Sequence, residues 1–208
     1  MSAGDLLSPK ARDEISRLVG EIEKTTSAEI LVVVRAVSGR YLHADMALGG
    51  LLALAWICIF LFHPAPFDDD LVPFQILAAF VLGLLLSLFI PPLRRALTPK
   101  SWRHENVDRA ARAAFVENGV FRTNGRTGLL VFVSTFERRA FLVGDMAFET
   151  DDLRAALSKT QNEIEAIVGA KDAIAQFGQA MRALGTTLET ALPAAKDDVN
   201  ELANEVAA

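Results

Sequence analysis

Apolar residues fall along this chain in three patterns, and each predicts a different kind of element. The first is helical periodicity. Ser8-Pro9 is a start signal, with Ser as N-cap and Pro at the first helical position, where its missing N–H costs nothing. Ile15, Leu18, Val19 and Ile22 follow at i, i+3, i+4 and i+7, one apolar face of a helix that ends near Thr25-Thr26. The same start recurs at Thr98-Pro99. Val107, Ala110, Ala111, Ala114 and Phe115 then form a stripe, and Asn118-Gly119 is the stop. Leu153, Ala156, Leu157, Ile164, Ile167 and Val168 predict a third helix. After Gly169, Ala173, Phe177, Ala180, Met181, Leu184 and Leu188 predict a fourth, closed by Pro193.

The second pattern is the short run without alternation. Ile30-Leu-Val-Val-Val and Leu129-Leu-Val-Phe-Val predict strands covered on both faces. Ala140-Phe-Leu-Val predicts a third strand, joined to the second by a turn over Thr135 to Arg138 and so antiparallel to it.

The third pattern is the long apolar run. Met46 to Phe62 and Leu71 to Ile90 are each long enough to cross about 30 Å of hydrocarbon at about 1.5 Å per residue. From Met46 to Leu93 the only charges are Asp68, Asp69 and Asp70. In lipid each backbone polar group must be satisfied within its own element, so both runs predict helices. His63-Pro-Ala-Pro-Phe-Asp-Asp-Asp between them predicts a tight polar turn and hence a hairpin. Arg94, Arg95, Lys100 and Arg103 follow the second run, Arg35 and Arg40 precede the first, and the connecting loop carries no Lys or Arg. Basic residues stay on the cytoplasmic side, so both termini are predicted in the cytoplasm, with the Asp loop outside a two-span protein of the inner cell membrane. Met-Ser-Ala-Gly-Asp does not read as a signal peptide.

The predicted order is helix, strand, membrane hairpin, helix, strand, strand, helix, helix. This is an α/β class: a small mixed sheet sandwiched by helices, with an inserted two-helix transmembrane hairpin. The expected organisation is a discontinuous domain over residues 6–40 and 98–192, a hairpin over 44–93 and a flexible acidic tail over 194–208.

Composition narrows the functional classes. Of 208 residues 51% are hydrophobic, which excludes disorder over the whole chain. The net charge of -5 argues against a nucleic-acid partner. The single cysteine, Cys58, excludes an internal disulfide framework and a Cys-based zinc finger. There is no Gly-x-Ser-x-Gly nucleophile elbow.

Two groups of residues carry candidate chemistry. Asp145, Asp151 and Asp152, with Glu149 nearby and Asn124 from a neighbouring loop, offer oxygens to a hard cation such as Ca²⁺ or Mg²⁺. Asp151 and Asp152 equally suit the first turn of a helix capped by Thr150. The set therefore predicts no resident cofactor and, at most, weak Ca²⁺ or Mg²⁺ binding. Arg94, Arg95, Lys100 and Arg103, with Trp102 among them, predict contact with the membrane surface, where anionic headgroups contribute about 1 kcal/mol per basic residue. His104 reads as a surface residue. Asn124-Gly-Arg-Thr-Gly runs into a strand rather than from strand to helix, so it reads as a turn and not a phosphate loop.

Leu7-Ser-Pro with its helix, Ser27-Ala-Glu-Ile-Leu-Val-Val-Val, Asn124-Gly-Arg-Thr-Gly-Leu-Leu-Val-Phe-Val-Ser, Glu137-Arg-Arg and Phe141-Leu-Val-Gly-Asp occur in an order that resembles the TPM domain family. The hairpin after the first strand, Leu93-Arg-Arg-Ala-Leu-Thr-Pro and Asp198-Val-Asn-Glu-Leu resemble its bacterial membrane subgroup. The resemblance implies an α/β/α sandwich and, from some plant members, an acid phosphatase with a divalent cation near the sheet. Many soluble members carry Asp-Asn-Gly before the second strand and Gly-x-Gly-x-x-Glu after the third. Here these read Thr123-Asn124-Gly125 and Gly144-Asp-Met-Ala-Phe-Glu149, departures that count against an inherited metal site. The favoured expectation is a membrane-anchored, cytoplasmic-facing, non-enzymatic domain that serves as an interaction or assembly module for a protein partner. The alternative is a membrane-tethered, divalent-metal-dependent phosphatase. A transporter subunit is disfavoured, because no Lys, Arg, Asp or Glu lies within either apolar run.

Overall fold

The structure, a computed structural model, describes residues 6–64, 68, 70–170, 172–194, 201, 202 and 206. The chain divides into two compact units, Met1–Ser38 with His104–Ala208, and Gly39–Arg103. Among the described residues it contains seven α-helices and three strands.

In the first unit, β1 (Glu29–Arg35) and β2 (Gly128–Ser134) run parallel, with Val32 opposite Val131. β3 (Arg139–Gly144) runs antiparallel on the other side of β2, with Leu142 opposite Val131. The sheet is mixed, in the order β1-β2-β3. Its unalternated strands face two cores. Ile30, Val32, Val34, Leu129, Val131, Val133, Ala140 and Leu142 pack into a large cluster with α1 (Pro9–Ile22), α6 (Asp151–Ile167) and α7 (Ala173–Ala191). Leu31, Val33, Leu130 and Phe132 pack on the opposite face against Val107, Ala111 and Ala114 of α5 (Lys100–Glu117). Successive strand residues point to opposite faces, so a run that is apolar throughout needs cover on both.

Local chemistry sets the helix ends. The Ser8 hydroxyl accepts from Ala11 N at 3.2 Å, and Pro9 opens α1. Asn118 donates to Ala114 O at 2.8 Å, and Gly119, at φ +67°, takes the left-handed turn that stops α5. Thr98 differs from its predicted role. Its hydroxyl turns back to donate to Arg94 O at 2.9 Å and closes α4 (Pro91–Ala96), a short helix that the sequence pattern did not indicate. Thr150 occupies the cap position of α6 without a side-chain capping bond.

The two edges of the sheet are covered by side chains. On β3, Ala140 N donates to Glu165 Oε1 at 3.3 Å and Leu142 N to Gln161 Oε1 at 3.2 Å, both acceptors lying one turn apart on α6. On β1, Ile30 N donates to Glu23 Oε1 at 2.8 Å. Edge donors satisfied in this way cannot pair with a foreign strand.

The second unit contains α2 (Leu42–Phe62) and α3 (Val72–Phe89), both long and apolar enough to cross a membrane. Their most apolar stretches have mean hydropathies of 2.1 and 2.3, and only 17% of each is buried. Large apolar side chains such as Leu51, Leu54, Phe74 and Leu77 point outward, which a helix buried in a water-soluble core would not allow. The two helices approach through glycine. A Cβ on Gly83 would lie 2.6 Å from Gly49 Cα and 2.7 Å from Leu48 O, so only a residue without a side chain fits there. The polar turn expected at residues 63–70 falls partly outside the described residues. Within it Asp68 begins a turn, its carbonyl accepting from Leu71 N at 3.0 Å and its carboxylate from Asp70 N at 3.2 Å.

Candidate functional site

Asp145, Asp151 and Asp152 do not form a cation-holding cluster. Among the described residues no group of three or more His, Cys, Asp or Glu side chains could hold a metal ion. Asp145 is buried at the end of β3. It accepts from Met146 N at 2.8 Å and faces Arg126 Nε at 3.2 Å, so a guanidinium already neutralises it. Asp151 and Asp152 are exposed in the first turn of α6, where they complement the helix dipole. Asn124 donates through both its backbone N, at 2.8 Å, and its side-chain amide to the Glu201 carboxylate. Asn124 thus presents two N–H donors to an anion.

The expected membrane-surface residues separate into two groups. Lys100 and Trp102 are exposed, and Arg95 and Arg103 are half-exposed. Trp102 stands edge-to-face with His43, ring centroids 4.6 Å apart. Arg94 is turned inward instead, donating to Asp45 Oδ2 at 2.7 Å with its guanidinium 5.8 Å from the Tyr41 ring. Ser87 donates to the other Asp45 oxygen at 2.6 Å.

This Asp45–Ser87–Arg94 cluster corrects the expectation that neither span contains a charged residue. α2 begins at Leu42 rather than Met46, which brings Asp45 inside the helix, and Asp45 is 5% exposed. The first turn of a helix favours an acidic side chain, and Arg94 and Ser87 satisfy both of its oxygens. One helical turn from Asp45 and from Ser87 lie Gly49 and Gly83. The close contact of α2 with α3 therefore carries a hydrogen bond beside its glycine seam, and an ion pair ties α2 to α4. Residue spacing cannot reveal the cluster, since Asp45 lies more than 40 positions from both of its partners.

A second polar network ties together the parallel strand ends. Glu137 is 1% exposed; it accepts from Ser38 N at 2.8 Å and from the Ser134 hydroxyl. Ser38 Oγ and Ser134 Oγ share a hydrogen bond of 2.8 Å. Thr135 N donates to Arg35 O at 3.0 Å and Phe136 N to Ala36 O at 2.9 Å, which prolongs the pairing past the strands. A buried carboxylate supplied with this many donors is a structural node. His104, read as a surface residue, is exposed and meets Arg139, which pairs with Glu165 at 3.0 Å.

No protein-family model matches the chain, and no curated protein matches it. In fold the chain is similar to the BA42 protein of the psychrophilic bacterium Bizionia argentinensis, solved by NMR. The TM-score is 0.55 over 96% of this chain and 93% of that one, at 16% sequence identity. Identity at that level carries the fold and not the activity.

Proposed function

We propose that the protein is a membrane-anchored, TPM-like α/β domain that faces the cytoplasm and acts as a non-enzymatic interaction or assembly module. The observation that carries this reading is the outward apolar surface of α2 and α3, with only 17% of each most apolar stretch buried, on a chain whose other unit has two complete cores. Lipid is the solvent that suits such a surface. The basic residues after α3, Arg95, Lys100 and Arg103, support a cytoplasmic side and contact with anionic headgroups, while Arg94 serves the hairpin itself. The absence of an enzymatic role is supported by the engagement of Asp145 with Arg126 and of Asn124 with Glu201. In the phosphatase alternative Asp145 would have to exchange its guanidinium for a cation. The test is carbonate extraction of cell membranes, followed by calorimetric titration with Ca²⁺ and Mg²⁺ and a phosphatase assay on the detergent-purified chain. The reading requires retention in the membrane, no phosphate release, and no cation binding tighter than millimolar. Release by carbonate, or micromolar binding lost in Asp145→Ala, contradicts it.

A further inference from the structure

The N-terminal end of the sheet carries a feature that neither anchoring nor the strand-end network uses. Glu29, the first residue of β1, is 6% exposed. Its Oε2 accepts two consecutive backbone N–H groups, from Glu201 and Leu202, both at 3.1 Å. The Glu201 carboxylate in turn accepts from Asn124 N and from the Asn124 amide. Leu202 packs against the core under α5, and Val206 against the core on the other side of the sheet. A segment expected to be loose over 194–208 lies largely outside the described residues, but these three residues are docked.

The receiving surface is pre-shaped. Thr123 Oγ1 accepts from Thr127 N at 3.0 Å and from Gly128 N at 3.1 Å, and Arg126, at φ +54°, donates to Phe121 O at 2.9 Å. These bonds fix the loop that presents the Asn124 donors. Beside it is an open cavity of about 260 Å³, lined by Glu117, Gly119, Arg122, Thr123 and Leu202 among others. The surface thus offers a buried carboxylate for two N–H groups in a row, an amide and an N–H for a carboxylate, and an apolar seat for the residue after that carboxylate. Main-chain bonds supply affinity, and the two side-chain positions supply selectivity.

We propose that this end of the sheet is a docking site for an extended acidic peptide carrying Glu followed by Leu, and that the chain's own Glu201-Leu202 holds it in cis. Only residues 195–200 separate the docked segment from Ala194, whose N–H bonds to Thr25 O. The tether keeps the local concentration of the tail high, so a contact of a few bonds stays closed until a partner peptide is abundant. Release of the tail takes two N–H donors from the Glu29 carboxylate, and a segment of the same chemistry restores them. The proposal deepens the interaction-module reading by naming the partner's chemistry. Its failure removes this site and leaves membrane anchoring intact, whereas release by carbonate removes the anchoring and leaves the peptide result standing.

The experiment uses the full chain in detergent micelles and a fluorescent peptide of residues 197–206, read by anisotropy. Glu201→Pro/Leu202→Pro removes both main-chain donors and both side chains, empties the site and should bind the peptide at least tenfold more tightly than the wild-type chain. Adding Glu29→Gln to that variant, or scrambling the peptide, should lower binding at least tenfold. Equal binding by wild type and emptied variant, or binding indifferent to Glu29→Gln and to scrambling, overturns the proposal. A second measurement needs no variant. Excess peptide should speed tryptic cleavage of the wild-type chain after Lys196 several-fold, and an unchanged cleavage rate also overturns it.

Discussion

At the residue scale, two sites in the hairpin make opposite demands on volume and charge. Gly83 has no room for a methyl group, whereas a Cβ on Gly50 would meet nothing within 4 Å. Gly83→Ala should therefore force the two helices apart and lower stability by about 1–3 kcal/mol, the range for overpacking a close contact, while Gly50→Ala should be neutral. Thermal unfolding in micelles of the two variants checks this, and equal midpoints contradict it. Asp45 and Arg94 form a pair whose side chains are 7% and 19% exposed. Removing Arg94 alone leaves an uncompensated acid, so Arg94→Ala should cost about 3 kcal/mol, near the lower end for buried pairs. The double variant Asp45→Ala/Arg94→Ala should recover part of that loss. A double-mutant cycle with zero coupling would show that the pair is incidental.

At the element scale, α6 shields the free edge of β3 through Gln161 and Glu165. Gln161→Ala/Glu165→Ala should lose about 1 kcal/mol per removed bond and, more tellingly, should form larger species as concentration rises, seen by light scattering. A double variant that stays monodisperse would argue that the edge needs no cover. The same elements show what a sequence can disclose. α1, α5, α6, α7 and the three strands were legible because each carries a periodicity or an unbroken apolar run that one kind of burial satisfies. Ile15, Leu18, Val19 and Ile22 are all buried, as their spacing requires. α4 was not legible, since Pro-Pro-Leu-Arg-Arg-Ala is too short to show a period. The start of α2 was hidden by His43 and Asp45, polar residues that only a partner on another helix makes tolerable. Of the candidate site residues, Asp145 and Asn124 were expected to offer oxygens to a cation, and the partners they have were not foreseen. Arg126 and Glu201 reach them through loop geometry and a returning tail, and neither leaves a local pattern.

At the scale of the whole molecule, the unit of residues 1–38 and 104–208 contains all three strands and both core clusters. Joining Ser38 to His104 through a flexible Gly/Ser linker should give a water-soluble protein with one cooperative unfolding transition, seen by circular dichroism. A product without such a transition would mean that α2 and α3 are needed to complete the fold. In the proposed topology these two helices form a membrane hairpin with its polar turn outside and both chain ends inside. The most direct test is labelling of intact cells with a membrane-impermeant maleimide, in a Cys58→Ser background, with a cysteine placed by Asp68→Cys or by Ala208→Cys. That topology predicts that position 68 is labelled in intact cells and position 208 only after permeabilisation. Labelling of position 208 in intact cells, or protection of position 68 until the membrane is opened, would contradict it.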